Sequence, residues 1–370
     1  MVPPSQTPLL QPLGARVPDV ERIAVLRSNG IGDFVVALPA LDALRAAYAE
    51  AEITYLGTTW HPELLEARPG PWDRVVVVPP YPGVRGDEGR RDAPEVLDFL
   101  AEQRRHRYDL ALQLHGGGGN SNPFVTALGA RVTAGSRDVG APPLDRWMRY
   151  SYYQHEVHRF LEVVSLVGAV PVSLEPRLEV TPADRAAADV VLQGLPQPIV
   201  GIHPGATDPR RRWPAERFAE VAREVGRLGA SVVVVGHGPD DERSARVIAS
   251  GSGVPVLDLV GRLTMGGMVG VLERCRVVVG NDSGPRHLAA AVGTATVGVY
   301  WCGNMINAGP LTRARHRAGV SFRSSCPECG ADQGRGRCAH DPSFVADVPL
   351  EEVVEAVTEL YENEETDRAA

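Results

Sequence analysis

Short apolar, β-branched runs alternate along this chain with longer stretches in which apolar residues recur at helical spacing. A short continuous apolar run is typical of a strand buried on both faces, and the periodic stretches are typical of helices packed on a sheet. The predicted strands are RIAVLR (22–27), EITYLG (52–57), RVVVVP (74–79), DLALQLH (109–115), RVTAG (131–135), PIVGIH (198–203), ASVVVVG (230–236), VPVLDL (254–259), RVVVG (276–280) and ATVGVY (295–300). The predicted helices lie near 34–48, 95–106, 121–129, 158–168, 182–193, 214–228, 240–250, 264–274, 286–292 and 349–362.

This alternation predicts an α/β protein with two Rossmann-like, doubly wound parallel domains. We expect the first domain over residues 19–180 and the second over 181–348, because the pattern restarts at PIVGIH after a Pro-containing stretch. The Pro-rich residues 1–18 are predicted to form a disordered extension, and residues 349–370 a C-terminal helix followed by a polar tail.

The segment NDSGPRHLAAAVGTATVGVY (281–300) carries the strongest functional signal. Gly284 and Pro285 mark a tight turn from a strand into a helix, with Pro near the first helical position. Open α/β sheets bind ligands at the carboxyl ends of their strands, and helix N-termini suit phosphate. The segment therefore predicts a ligand-binding turn. An ordinary strand–turn–helix with Asp282 as a capping residue is the alternative.

Two other strand ends carry candidate chemistry. RSNGIGD (27–33) opens the first helix with two glycines that allow close backbone approach, and it ends in Asp33. It lacks the third glycine of a dinucleotide fingerprint, which disfavours an oxidoreductase. HPGATDPRRRWP (203–214) turns at Pro-Gly and places three arginines before a predicted helix.

These three segments together resemble glycosyltransferase family 9, the heptosyltransferases. The family signature is an Asp, Ser or Thr, Gly, two variable residues and His-Leu-Ala-Ala-Ala, which residues 282–291 match. Residues 23–48 and 199–225 are similar to the family's opening and central segments, in the same order. The resemblance runs from about residue 22 to about residue 360. It implies the GT-B architecture, in which the two domains face a central cleft and the C-terminal helix packs back on the N-terminal domain.

The resemblance also implies a general base and a cation for the leaving group. It makes Asp33 the base, with a carboxylate that only caps the helix as the alternative. It makes Arg211 the cation two residues before Trp213, where the family often has Lys. A solvated basic loop is the alternative, and we favour that alternative for Arg210 and Arg212.

The remaining predicted donor-binding residues surround the diphosphate of a nucleotide sugar. Backbone N–H groups and a hydroxyl can stabilise a departing diphosphate without a metal ion. Asp282 would accept hydrogen bonds from sugar hydroxyls, and His287 would donate to phosphate, orient Asp282 or be purely structural. The groups expected at the diphosphate are Gly205, Thr207, Ser283 and Gly284.

The composition of the chain limits the classes of binding partner that we expect. The net charge of −8 argues against nucleic acid, and because the chain has no Lys, any phosphate clamp must use Arg. No apolar run approaches the roughly 18 residues needed to cross a bilayer, so we expect at most peripheral membrane contact. Five cysteines without an export signal predict a reducing, cytoplasmic location.

Four residues near the C-terminus form the pattern C-x2-C-x8-C-x-H: Cys326, Cys329, Cys338 and His340. The first pair has zinc-site spacing, and three Cys with one His make a complete ligand set. The second half is tighter than in common zinc modules. A zinc site, free thiols and a disulfide all stay open, and no metal is assigned.

We therefore expect an inverting, metal-independent glycosyltransferase without a cofactor. By resemblance, it would move heptose from ADP-heptose to a hydroxyl of a glycan, glycolipid or small-molecule acceptor. A GT-B sugar-nucleotide epimerase and a non-catalytic nucleotide-sugar-binding protein are the alternatives. The sequence leaves the acceptor and the oligomeric state open.

Overall fold

The computed structural model describes residues 12–86, 89–332 and 337–369, with side chains described as far as residue 363. The chain divides into two compact units, residues 1–176 and 177–370. The second unit thus begins at Arg177, slightly before the predicted boundary at residue 181.

The first unit is a six-stranded, wholly parallel sheet with helices between its strands. Its strand order is β3-β2-β1-β4-β5-β6, so the chain starts in the middle of the sheet and winds outward in both directions. The strands are β1 (Arg22–Leu26), β2 (Glu52–Gly57), β3 (Arg74–Val77), β4 (Leu110–Gln113), β5 (Val132–Arg137) and β6 (Arg146–Arg149). The helices are α1 (Ile31–Val35), α2 (Leu38–Ala47), α3 (His61–Leu65), α4 (Pro94–Arg105), α5 (Ser121–Ala127) and α6 (Glu156–Ser165).

The second unit repeats this plan with strand order β12-β11-β10-β7-β8-β9, again wholly parallel. Its strands are β7 (Ile199–His203), β8 (Ser231–Val234), β9 (Val256–Asp258), β10 (Cys275–Asn281), β11 (Ala295–Trp301) and β12 (His316–Ser321). Its helices are α7 (Pro182–Val191), α8 (Ala215–Arg227), α9 (Pro239–Gly251), α10 (Met265–Arg274), α11 (Gly284–Ala291), α12 (Cys302–Ala308) and α13 (Leu350–Ala369), and a 3₁₀ turn spans Pro209–Arg211. The prediction of two doubly wound parallel α/β domains is confirmed.

Two strands were not predicted, and each lies at the edge of its sheet. β6 has the sequence RWMR and half-exposed residues, and β12 has the sequence HRAGVS. An edge strand contacts only one neighbour, so it need not carry the continuous apolar run that marks a central strand. The predicted helix over 34–48 is also divided, because α1 ends at Val35 and α2 begins at Leu38 with Pro39 in its first turn.

The N-terminal extension is ordered where the structure describes it. Residues 1–11 of the predicted disordered segment lie outside the described residues. From Leu13 onward the chain packs on the first unit: the Gly14 N–H donates to the Ser165 carbonyl at 3.0 Å. The Val17 side chain is 3% exposed, and its N–H donates to the Tyr48 hydroxyl at 3.0 Å. The prediction of disorder is therefore wrong for the described part of the segment, because apolar burial and hydrogen bonds compensate its ordering.

The C-terminal helix is longer than expected. It continues to Ala369 through the stretch predicted as a polar tail, because Glu, Ala and Arg are strong helix formers. Its buried side chains belong to the core of the second unit, beside α8 and strands β10 to β12, and packing of the helix on the N-terminal domain stays a prediction. These side chains are Val353, Val357, Leu360 and Tyr361.

Among the described residues, no helix combines the length and apolar character that crossing a bilayer requires.

Candidate functional site

A buried arginine organises the candidate site of the first unit. Arg27 follows the central strand β1 and is 2% exposed. Its Nη2 donates to Asp33 Oδ1 at 2.6 Å and to Glu156 Oε2 at 2.7 Å, and its Nη1 donates to the Leu114 carbonyl at 2.9 Å. Burial by itself would lower the pKa of Arg27, but the charges of Glu156 and Asp33 outweigh it, and the pKa is raised. Arg27 therefore stays charged and fixes both carboxylates.

Asp33 lies in the first turn of α1 with both carboxylate oxygens engaged. Oδ1 accepts from Arg27, and Oδ2 accepts from the Gly30 N–H at 3.1 Å. The second bond is the return half of a capping box, in which a carboxylate on the first turn satisfies the N–H before the helix. The side chain is nevertheless 39% exposed. The carboxylate thus caps the helix, which is the alternative considered for Asp33, and it remains accessible to solvent.

Glu156 was missed by the sequence reasoning. It is the first residue of α6, and its Oε1 accepts from Arg159 at 3.0 Å while its Oε2 accepts from Arg27. Arg159 is 2% exposed and donates to the carbonyls of Ser151, Tyr152 and Gln154. This chain of ion pairs fixes the irregular loop before α6 against the end of β1. Arg27 and Glu156 are 129 residues apart in sequence, so no local pattern points to their pairing.

The first unit has a cavity of about 380 Å³ at these carboxylates. The loop HGGGGN (115–120) after β4 forms one wall. The His115 ring accepts from the Ser28 N–H at 3.3 Å, and burial followed by the nearby Arg27 charge lowers the pKa of His115 to about 4. The ring is therefore neutral near pH 7. The cavity is lined by Arg27, Asn29, Asp33, Gly83, His115, Gly116, Gly117, Gly118, Gly119, Asn120, Ser121, Tyr150 and Glu156.

In the second unit, Asn281 at the end of β10 joins two neighbouring segments. It is fully buried; its Oδ1 accepts from the Trp213 N–H at 3.0 Å, and its Nδ2 donates to the Pro204 carbonyl at 2.6 Å. The Pro-Gly turn after β7 and the start of α8 are thereby held at fixed positions beside β10. Gly205 in that turn allows a close approach, because a Cβ there would lie 2.1 Å from Asp241 Oδ1.

All three arginines of the loop after β7 have carboxylate partners. Arg210 pairs with Asp208, and Arg212 pairs with Asp240. Arg211 alone turns toward β10: its Nη1 lies 3.1 Å from Asp282 Oδ2. Arg210 is mostly buried, whereas Arg212 keeps 31% of its side chain exposed, and the prediction of a solvated loop stays open for these two residues. The nearby Thr207 is exposed.

Asp282 is a buried carboxylate with several cationic or polar neighbours. It is 4% exposed, and His287 Nε2 lies 2.9 Å from its Oδ1. Burial would raise the pKa of Asp282, but the hydrogen bond from His287 and the charges of His287, Arg286 and Arg211 lower it. The carboxylate is therefore ionised near neutral pH. His287 thus contacts Asp282 directly, and the three roles predicted for this histidine stay predictions.

Ser283 is the residue before α11, and Gly284 is its first helical residue. The Ser283 hydroxyl donates to the Asn281 carbonyl at 3.1 Å. The first N–H groups of a helix have no carbonyl partner within it, so this turn presents donors at the carboxyl end of β10. The structure therefore brings Arg211, Asp282, Ser283, Gly284 and His287 together.

Arg286, read from the sequence as a variable position, belongs to the same cluster. It is 2% exposed, with Nη2 3.9 Å from Asp282 Oδ1 and its guanidinium 5.0 Å from the centre of the Tyr300 ring. Gly298 makes room for it, because a Cβ there would lie 2.4 Å from the Tyr300 ring and 3.0 Å from Arg286 Cδ. A buried arginine is rare unless paired, but the sequence alone does not show its burial.

Comparisons with known proteins fit this geometry. A model of glycosyltransferase family 9 (heptosyltransferase) matches residues 97–333, more than half of the chain. The chain belongs to glycosyltransferase family 9. The residues predicted to bind the donor lie inside the matched range, whereas Asp33 lies outside it.

Individual relatives of this glycosyltransferase cover most of its length. Lipopolysaccharide heptosyltransferase 1 of Pseudomonas aeruginosa is 27% identical over 330 residues, which are 83% of this chain and 86% of the relative. A family 9 structure from Veillonella parvula superposes with a TM-score of 0.76 at 24% identity, over 93% of this chain and 97% of the other. E. coli ADP-heptose lps heptosyltransferase II superposes with a TM-score of 0.72 at 20% identity, over 93% and 99%. These likenesses confirm the GT-B-type two-domain fold, and the family confirms glycosyl transfer.

The lowered pKa of Asp282 predicts an acid-sensitive contribution to the stability of this family 9 glycosyltransferase. Because the folded-state pKa lies below the unfolded value of about 3.9, the contribution is complete above that pH and is lost as pH falls through the folded pKa. Asp282→Asn should lower the free energy of unfolding at neutral pH by about 3–5 kcal/mol, as is usual when a buried ion pair is broken. Denaturant titrations measure this free energy, and the difference between Asp282→Asn and the wild type should become smaller below about pH 4.

Asp98→Asn is the control, because Asp98 is exposed on α4. The free energy of unfolding of Asp98→Asn should differ little from that of the wild type at every pH. A difference for Asp282→Asn that stays constant from neutral pH into the acid range would contradict the ion-pair account.

Proposed function

We propose that this family 9 glycosyltransferase transfers heptose from ADP-heptose, with inversion, to a hydroxyl group of a glycan, glycolipid or small-molecule acceptor. The observation that carries the proposal is the cluster of Arg211, Asp282 and His287 at the carboxyl ends of β7 and β10. The heptosyltransferase names of its relatives, and ADP-heptose in the name of the E. coli protein, support this donor.

The donor half of the mechanism is stabilisation of a departing diphosphate. Negative charge grows on the ADP oxygens as the anomeric bond breaks, and preoriented donors lower the barrier by meeting that charge. Arg211 keeps 24% of its side chain exposed while Asp282 orients its guanidinium, so it offers further N–H groups to phosphate. The N–H groups at Ser283 and Gly284, the turn at Gly205 and the exposed Thr207 hydroxyl complete this half.

Asp282 and His287 would hold the sugar. The ionised Asp282 carboxylate is an acceptor that suits heptose hydroxyl groups, and His287 and Arg286 keep it in place. An oriented sugar brings its anomeric carbon to a fixed position, and such positioning supplies a large part of the rate in a one-step displacement.

The acceptor half of the mechanism is removal of one proton. Asp33 would take the proton of the acceptor hydroxyl as that oxygen attacks the anomeric carbon on the face opposite the leaving diphosphate. Arg27 and the Gly30 N–H hold the carboxylate in one orientation, and the adjoining cavity of about 380 Å³ offers space for the acceptor. Attack from the opposite face explains why the transfer inverts configuration.

Asp33→Asn should lower turnover by about 10²–10⁴-fold, the usual size of a general-base contribution, and leave donor affinity nearly unchanged. The loss of catalysis is checked by measuring turnover with ADP-heptose. The unchanged donor site is checked by measuring the affinity for ADP by calorimetry. Glu156→Gln is the matched control, because Glu156 and Asp33 accept from the same nitrogen, Nη2 of Arg27. This variant should lower turnover much less than Asp33→Asn does. Near-normal turnover in Asp33→Asn would remove this residue from the mechanism.

Arg211→Ala should weaken binding of both the donor and ADP by about 1.5–3 kcal/mol, the usual value of a hydrogen bond to a charged group. Calorimetry with ADP measures the loss, and a thermal melt shows whether the second unit stays folded. Arg212→Ala removes the same charge one residue away, where the guanidinium pairs with Asp240, and should bind ADP almost normally. Equal losses in the two variants would mean that the loop acts only through its general positive charge.

Brief treatment with excess EDTA should leave the initial rate of transfer intact. The carboxylate nearest the proposed diphosphate, Asp282, is already paired with Arg211 and His287, and Arg211 supplies the cationic group for the leaving phosphate. Rates measured immediately after mixing check this. An immediate loss that magnesium or manganese restores would show that a metal bridges the diphosphate.

A further inference from the structure

Three cysteines and one histidine that the transfer reaction does not use meet at one point of the second unit. The potential ligand atoms of Cys326, Cys329, Cys338 and His340 all lie within 4.8 Å of one another. In a tetrahedral zinc site with Zn–S bonds of about 2.3 Å, neighbouring ligand atoms are separated by about 3.4–3.8 Å, so only small side-chain shifts are needed. We infer that these four residues bind one structural Zn²⁺ ion.

The backbone at the first two cysteines is already folded as a ligand-presenting turn. The Gly330 N–H donates to the Cys326 carbonyl at 2.8 Å, and the Cys326 N–H donates to the Ala331 carbonyl at 2.9 Å. Gly330 has φ +72°, a left-handed conformation that favours glycine and closes the turn just after Cys329. Both cysteines therefore belong to one short loop, and the potential ligand atoms of Cys338 and His340 lie close to their thiols.

The chemistry of the set favours zinc over a disulfide or a group of free thiols. All the cysteines are unbridged in this structure, and a disulfide would use two of the three thiols and leave the third and His340 without a role. Three thiolates and one imidazole in tetrahedral array are a complete ligand set for Zn²⁺ with no open position. A closed site binds no substrate, so the ion is structural.

The cluster lies in a long connection with little regular secondary structure. β12 ends at Ser321 and α13 begins at Leu350, with no helix or named strand among the described residues in between. Connections of more than about 12–15 residues without secondary structure are uncommon in compact domains. A metal ion that joins four of its residues would add a constraint to those that its hydrogen bonds supply.

This connection contacts β11 before the cluster and the arginine loop after the cluster. Before the cluster, the Arg323 carbonyl accepts from Nε1 of Trp301, the last residue of β11, at 2.7 Å. After it, the Ser343 hydroxyl donates to the Arg212 carbonyl at 2.6 Å, and the Phe344 N–H donates to the Arg210 carbonyl at 2.7 Å. The two residues that flank Arg211 are thus tied to the segment that the ion would order. Zinc would position the donor loop from outside the reaction.

Metal analysis of the purified full chain, washed with a weak chelator, tests the site directly. The wild type should hold one zinc ion per chain, Cys329→Ser should lose most of it, and His340→Cys, which restores a fourth ligand as thiolate, should retain it. Cys302→Ser is the control, because this thiol lies on α12 outside the cluster. Wild type without zinc, iron in place of zinc, or equal zinc in Cys329→Ser would overturn the assignment.

Cobalt provides a second readout that needs no variant. Wild type reconstituted with Co²⁺ should show the intense visible bands of tetrahedral thiolate coordination, and the weak spectrum of hydrated Co²⁺ would count against the site. The link to Arg211 rests on the proposed function and is tested separately: prolonged zinc removal should weaken ADP binding several-fold, and zinc should restore it. Metal content and cobalt spectra are read without substrate, so a wrong donor assignment would leave them unchanged.

Discussion

A buried charge has to be neutralised by its neighbours, and each unit is organised around one such charge at the end of a central strand. In the first unit it is Arg27, which draws Asp33 from α1 and Glu156 from α6 to one guanidinium. In the second it is Asp282, which draws Arg211 from the loop after β7 and His287 from α11. Leaving such a group unpaired costs several kcal/mol, so loops that would otherwise vary are held in one arrangement.

Neutral hydrogen bonds, in addition to the ion pairs, hold the arginine loop in place. Asn281 reaches from β10 to the Trp213 N–H and the Pro204 carbonyl, and it thereby fixes both ends of the segment that carries Arg211. The same segment is tied from outside by Ser343 and Phe344. The arginine loop is therefore preorganised before any ligand binds, which is the condition under which a fixed cation stabilises a leaving group best.

The two units contribute different chemistry to the proposed transfer, and their burial reflects this. Asp282 is 4% exposed, as suits a residue that orients others and binds hydroxyl groups at a fixed position. The Asp33 side chain is 39% exposed, as a group that must meet an incoming hydroxyl requires. In the proposed mechanism, Arg211 takes the position at the diphosphate that a metal cation has in metal-dependent enzymes. The metal ion that we infer lies behind the arginine loop, where it would act on the fold.

The sequence by itself determined the α/β class, the central strands, the turns at 27–33, 203–214 and 281–287 and the family, because these depend on local patterns. Apolar runs mark strands buried on both faces, and Gly, Pro and Asp mark turns. Edge strands β6 and β12, the packing of α13 and the ordered start of the chain were decided by the tertiary structure, since each depends on contacts with distant segments. The same holds for the buried Arg286 and Asn281 and for Glu156, which pairs with the buried Arg27, because only the folded chain decides which polar residues are buried and which partners they contact.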